Sequence, residues 1–129
     1  MREILFRGKD ENNVWQKGFY CAFNDKSHRI YTGFAETDCG DYYPDYDEIN
    51  PETVGQYTGL SDKNGIKIFE GDIVLLCADD EPYTVGFDEC CFQVYSDSIC
   101  YNMDCFYDHD IEVIGNIYDN PELLGRAEK

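Results

Sequence analysis

Positive charge is what this sequence has least of. Its 129 residues hold ten Lys and Arg against 27 Asp and Glu, a net charge of −17. Six of the ten bases (Arg2, Arg7, Lys9, Lys17, Lys26, Arg29) lie between Met1 and Arg29, and from Ile68 to Gly125 there are fourteen acids and no Lys or Arg. Such a surface repels nucleic-acid phosphates and anionic membranes, and it attracts basic partners or cations. No direct nucleic-acid contact and no membrane contact are therefore expected.

Long apolar runs are missing too. Nothing approaches the roughly 20 apolar residues that span a bilayer, and Met1-Arg2-Glu3 opens no signal-peptide pattern. The expectation is a soluble protein that stays where it is made, in the cytoplasm of a bacterial host. No window keeps a helical period and nothing repeats at a fixed interval. There is no Gly-x-Gly-x-x-Gly, no P-loop and no Gly-x-Ser-x-Gly elbow, so the common phosphate-cradling and acyl-transfer sites have no support. Abundant carboxylates do not identify a paired acid and base, and the expectation is a protein that is not an enzyme.

What the chain has in plenty is aromatic residues. Eleven Tyr and eight Phe, with 43% hydrophobic content, mark a folded chain and favour strands. Strands are expected at Ile4–Phe6, Val14–Phe23, Arg29–Phe34, Val54–Leu60, Lys67–Phe69, Ile73–Cys77, Tyr83–Phe87, Cys91–Tyr95, Ile99–Met103 and Ile111–Tyr118. Turn chemistry separates them, most strongly at Asp10-Glu11-Asn12-Asn13 and Asp62-Lys63-Asn64-Gly65. Asn120-Pro121 can start one short helical turn. Many short antiparallel strands imply an all-β fold, a small barrel or a sandwich. The length suits a single domain, 1–129, with an N-terminal meander over about 1–50.

Ala35 to Asn50 breaks the strand pattern. Asp41, Asp45, Asp47 and Glu48 alternate there with Tyr42, Tyr43 and Tyr46. The segment reads either as a solvated loop or as an acidic-aromatic surface for a partner. Asp108, Asp110 and Glu112 have i, i+2, i+4 spacing, which on a strand lines carboxylates along one face at about 7 Å intervals. Such a row can imitate a phosphate backbone, or it can simply be solvated.

Seven cysteines, an odd count, argue against a disulfide framework in a reducing compartment. Cys90, Cys91, Cys100, Cys105 and His109 bring five soft or borderline ligands into a short span, and zinc takes such ligands tetrahedrally. A hairpin turning at Ser96-Asp97-Ser98 would bring Cys91 near Cys100 on one face if its register permits. A structural zinc is one reading and buried thiols the other, since free cysteine packs as a small hydrophobe.

The stretch Pro51-Glu52-Thr53-Val54-Gly55-Gln56-Tyr57-Thr58-Gly59-Leu60, with Asp62-Lys63-Asn64-Gly65 and Phe69-Glu70-Gly71-Asp72-Ile73-Val74 after it, resembles the central signature of the YopX family of phage and prophage proteins. A second match runs from Ile111 to Leu124, and Phe6-Arg7 and Trp15–Gly18 fit more loosely. The resemblance implies a β-dominated domain with a small SH3-like barrel over about 51–124, and a phage or prophage origin. It brings no catalytic residues. The signature glycines and polar residues read first as architecture.

The charge, the resemblance and the missing catalytic motif together favour an accessory protein that binds and inhibits a basic, nucleic-acid-handling host protein such as a restriction or CRISPR nuclease. A structural or self-assembling phage module is the alternative, and a metal-dependent enzyme the minority reading.

Overall fold

The computed structural model describes residues 3–24, 26–76, 81–88, 90–96, 99–103 and 111–124. Within them run eleven strands: β1 Phe6–Lys9, β2 Trp15–Phe23, β3 Ser27–Glu36, β4 Tyr42–Glu48, β5 Gly55–Ser61, β6 Lys67–Phe69, β7 Asp72–Leu76, β8 Pro82–Asp88, β9 Cys91–Tyr95, β10 Cys100–Asn102 and β11 Ile111–Asn116. Short 3-10 turns occupy Pro51–Thr53 and Pro121–Leu124. The all-β expectation holds, and the expected C-terminal helical turn is the second of these. No helix among the described residues is long and apolar enough to cross a membrane.

Two hairpin turns of nearly the same sequence organise the strands. In Asp10-Glu11-Asn12-Asn13-Val14, the Asp10 carboxylate accepts from the N–H groups of Asn12 (2.9 Å) and Val14 (3.0 Å), and Asp10 N–H donates to the Val14 carbonyl at 2.9 Å. In Asp62-Lys63-Asn64-Gly65-Ile66, the Asp62 carboxylate accepts from Asn64 (2.8 Å) and Ile66 (2.9 Å), and Asp62 N–H donates to the Ile66 carbonyl at 2.8 Å. The fourth residue is left-handed in each, Asn13 at φ 67° and Gly65 at φ 82°. Gly and Asn adopt that conformation with least strain.

The chain divides into two compact units, Met1–Gln56 and Tyr57–Lys129. In the first, antiparallel strands lie in the order β4-β3-β2-β1, and the start of β5 adds to β1 with Phe6 opposite Gln56 and Arg7 opposite Gly55. Ile30 and Ile49 are its buried apolar side chains. Gly18 is required there, because a Cβ would collide with the Tyr31 carbonyl oxygen. Thr53 ties the 3-10 turn to β1 by accepting from Lys9 N–H at 2.8 Å.

In the second unit the later residues of β5 pair with β6, and the other strands form a sheet in the order β10-β9-β8-β7-β11. Ile68, Val74, Leu76, Tyr83, Val85, Val94, Met103 and Ile111 make its core. Each buried Ile, Leu or Val contributes about 1.5–3 kcal/mol over exposure.

The two stretches that carry the resemblance meet in this unit. Asp62 accepts from Val113 N–H at 2.9 Å, Lys63 N–H donates to the Ile111 carbonyl at 3.0 Å, and Ile117 N–H donates to the Gly71 carbonyl at 2.8 Å. Gly71, at φ 90°, lies under the Tyr118 ring, which a Cβ would approach to 3.0 Å.

The SH3-like barrel expected over 51–124 is corrected by this arrangement. Among the described residues the sheet stays open, with β10 and β11 as its edges, pairing only with β9 and β7. The reason is visible at β11. Its Ile111 carbonyl and Val113 N–H are taken by the Asp62-Lys63 turn, so the first half of that edge is occupied by a turn rather than by a closing strand. The segment 35–50 also differs from a loop: it contains β4, seven residues paired to β3.

Candidate partner-binding face

Alternation along β2, β3 and β4 sorts their side chains into two faces. Register places Phe19 opposite Tyr31 and Cys21 opposite Arg29 on β2–β3, and Tyr31 opposite Tyr46 and Arg29 opposite Glu48 on β3–β4. A bulge between Tyr31 and Gly33 shifts the register, so that Phe34 opposes Pro44 and Glu36 opposes Tyr42 on the same face. This outer face is aromatic. It borders a concavity of about 720 Å³ lined chiefly by Leu5, Phe19, Tyr31, Phe34 and Pro44, with Lys17 and Cys21 also reaching it.

Several of its aromatic rings carry the chain's own cations. The Arg7 guanidinium lies 4.6 Å and the Lys9 ammonium 5.3 Å from the Trp15 ring centre. Arg29 sits 4.2 Å from Tyr46 and 5.0 Å from Phe23. Its Nη1 donates to the Tyr31 hydroxyl at 3.3 Å and its Nε to Glu48 at 3.0 Å, and these two contacts hold the guanidinium firmly charged.

The expected acidic-aromatic set is split by the strand. Tyr42, Tyr46 and Glu48 belong to the outer face, whereas Tyr43, Asp45 and Asp47 pair with Ala35, Gly33 and Ile30 on the opposite one. Asp41 precedes β4, its carbonyl accepting from Thr37 N–H at 2.7 Å. Burial, and then the charges of Asp10 and Asp45, push the Asp47 carboxyl above the ordinary carboxylate range. Asp10 itself is held below that range by the Val14 N–H and the Gln16 side chain. Asp47 thus holds its charge less readily than an open carboxylate, and a positive group beside it would favour that charge. Glu112 stands on β11, 3.4 Å from the Lys63 ammonium, and Asp108 and Asp110 lie outside the described residues.

The cysteines are distributed differently from a single cluster. Cys90 is exposed at the turn between β8 and β9, at φ 68°. Cys91 and Cys100 share the outer face of the β9–β10 hairpin, but Cys100 opposes Tyr95, four positions along β9 from Cys91. That is about 13 Å along the strand, whereas two thiolates on one zinc each lie about 2.3 Å from the ion. One ion therefore takes one of them, not both. Their thiols instead donate to amide oxygens, Cys91 to Asn102 at 3.3 Å and Cys100 to Gln93 at 2.9 Å. Cys105 and His109 lie outside the described residues, and among those described no three His, Cys, Asp or Glu are grouped to hold a metal.

A family model described as YopX protein matches residues 5–125, nearly the whole chain. The chain belongs to the YopX family. Among solved structures, this YopX chain is similar to the crystal structure of protein EF1440 from Enterococcus faecalis. The two share 26% identity over 96% of this chain and 99% of that one, with a TM-score of 0.67. The comparison with curated proteins returns no match.

The YopX signature residues do structural work in these units. Thr58 donates its hydroxyl to the Ile68 carbonyl at 2.9 Å, and Asp72 accepts from Phe69 N–H at 2.8 Å. Burial disfavours the charge on Asp62, but N–H donation from Val113, Ile66 and Asn64, with Lys63 nearby, outweighs it and holds its carboxyl below the ordinary range. Sequence reasoning missed the outer face itself. Phe19, Tyr20, Cys21, Ala22 and Phe23 form a continuous apolar run, in which no period-two signal tells one face from the other.

Proposed function

We propose that this YopX protein works by binding rather than by catalysis: a phage-type accessory protein of the bacterial cytoplasm that captures a basic, nucleic-acid-handling host protein and blocks it. The observation that carries this reading is β4. It is an edge strand that presents Tyr42, Tyr43, Asp45, Tyr46 and Glu48 to solvent, with Asp47, raised by burial and by the charges of Asp10 and Asp45, on its other face. A basic channel or lobe would be steered to such a surface by charge and fixed there by the tyrosines. Pro44 and the β4 carboxylates also oppose strand-to-strand pairing of two copies, which weighs against self-assembly.

The test is capture from nuclease-treated bacterial lysate by the tagged chain across a salt series. A single basic nucleic-acid-binding protein, released as ionic strength rises and lost with Asp45→Asn/Asp47→Asn, is the expected result. Recovery of the bait alone, or of a partner indifferent to salt and to that variant, overturns the reading.

A further inference from the structure

The outer face of β2–β3–β4 has the composition of a buried surface. An antiparallel sheet with one face in water is ordinarily polar on that face, and Ile30 is already buried on the opposite one. The outer face instead carries Phe19, Phe34 and Tyr42, the most exposed aromatic rings described, at 67%, 75% and 71%. Phe19 and Phe34 border the concavity of about 720 Å³ together with Leu5 and Pro44. A contiguous apolar surface of this kind marks contact with another molecule.

Charge says which molecule. The strands of this face hold Arg7, Lys9, Lys17 and Arg29 against Glu36 and Glu48. Arg7 and Lys9 are buried, 8% and 7% exposed, with their charges against Trp15. Arg29 is paired with Glu48 at 3.0 Å. The exposed charges that remain have opposite signs, Lys17 on β2 and Glu36 on β3. The face is thus near neutral in a chain of net charge −17. Two copies repel less here than at the second unit, where Ile68 to Gly125 has fourteen acids and no Lys or Arg.

An apolar face with one exposed charge of each sign is complementary to itself. A two-fold axis parallel to the strands, between β2 and β3, lays β3 of each copy over β2 of the other. The bulge lets Phe34 stand one row past Tyr31, level with Lys17, so Phe34 of one copy meets the concavity of the other. Glu36, about 7 Å further along β3, comes within reach of the Lys17 stem. The ammonium has three donors and can serve this carboxylate beside its neighbours in its own chain. Every contact then occurs twice.

We infer that the outer face of β2–β3–β4 is the interface of a closed homodimer, two copies stacked sheet on sheet, with Phe34 in the concavity of the second copy and Lys17 facing its Glu36. Pro44 and the β4 carboxylates oppose pairing edge to edge, but this contact uses no strand edge and closes after two copies. It leaves Asp45 and Asp47 on the opposite face, so the inference stands apart from the inhibitor reading.

Analytical ultracentrifugation of the full chain across micromolar concentrations, at low and high salt, is the test. A monomer–dimer equilibrium that tightens as salt rises is expected, because screening weakens the repulsion between two acidic copies. Capture of a basic partner moves the other way with salt. Phe34→Ser, at an exposed position where circular dichroism checks the fold, weakens dimerisation about tenfold. Lys17→Glu and Glu36→Lys each weaken it, and the two together restore it, as reciprocal contacts require. Iodoacetamide labelling of Cys21, which lines the concavity, slows as concentration rises, while Cys39 in the β3–β4 turn keeps its rate. A monomer at every concentration and salt, species larger than a dimer, indifference to Phe34→Ser, a charge swap that restores nothing, or equal protection of Cys21 and Cys39 overturns it. A monomer whose Cys21 is protected only by a protein captured from lysate gives the face to that protein and likewise overturns the second-copy assignment. The two readings fail separately. A salt-strengthened dimer with no basic protein captured leaves the dimer standing and removes the inhibitor, and salt-sensitive capture by a strict monomer does the reverse.

Discussion

The turns at Asp10 and Asp62 are the same object in two settings. Each closes on an aspartate that accepts from the second and fourth N–H beyond it, and each passes through a left-handed fourth residue. They differ in the second carboxylate oxygen. That of Asp10 meets the Gln16 side chain at 3.0 Å, six residues away and near solvent. That of Asp62 is buried and meets the Val113 N–H, 51 residues away on β11. One turn ends a hairpin. The other also locks a sheet edge, and so joins the two YopX signatures.

The largest expected effect comes from removing that lock. Asp62→Ala strips three N–H donors of their acceptor and should cost roughly 2–3 kcal/mol in urea unfolding, since each bond is worth about 1 kcal/mol and a buried unmet donor more. Asp10→Ala should cost clearly less, because water replaces the acceptor. Equal losses would mean that the β11 contact adds nothing. Asp62→Asn should be nearly as harmful if the amide turns its N–H₂ towards the Val113 N–H.

A smaller effect tests the shared part. Gly65→Ala forces a Cβ into the left-handed region at φ 82° and should cost about 1–2 kcal/mol. Gly65→Asn, which copies the first turn at Asn13, should cost distinctly less. Were both substitutions equally costly, conformation at the fourth position would not be what the two turns have in common.

The smallest effect lies in pH dependence. Asp62 is lowered, so the stability it lends is complete above the ordinary carboxylate range and fades as pH falls through its depressed value. Asp47 is raised, so its proton is held more tightly in the fold, and the fold is penalised as pH rises through that value. Asp47→Asn should therefore raise the melting temperature slightly at neutral pH, and that gain should vanish in acid. A gain that persists at low pH would point to packing rather than charge.

Much of the fold was legible because its signals are local. Asp-x-Asn followed by Asn or Gly specifies a turn within five residues, and Lys67–Phe69 and Cys91–Tyr95 are strands at their expected limits. β4 was not legible, because Pro44 and its crowd of acids read as loop when taken alone. Only the pairing with β3, which leaves Asp45 and Glu48 exposed on the two faces of an edge strand, makes a strand of it. The candidate face was half legible. The tyrosines and acids of 41–48 were marked, but their division between two faces, and the joining of Tyr42 to Phe19 and Phe34, required the register and its bulge.

The sequence by itself determined an acidic all-β YopX chain with two aspartate-capped turns, because composition, alternation and turn chemistry act over a few residues. Tertiary structure alone decided that the sheet of the second unit stays open among the described residues, that Asp62 is buried while Asp10 is not, and which of the described aromatic rings face water. Those outcomes depend on partners up to 51 residues apart, where no local preference reaches and only packing and hydrogen-bond satisfaction choose.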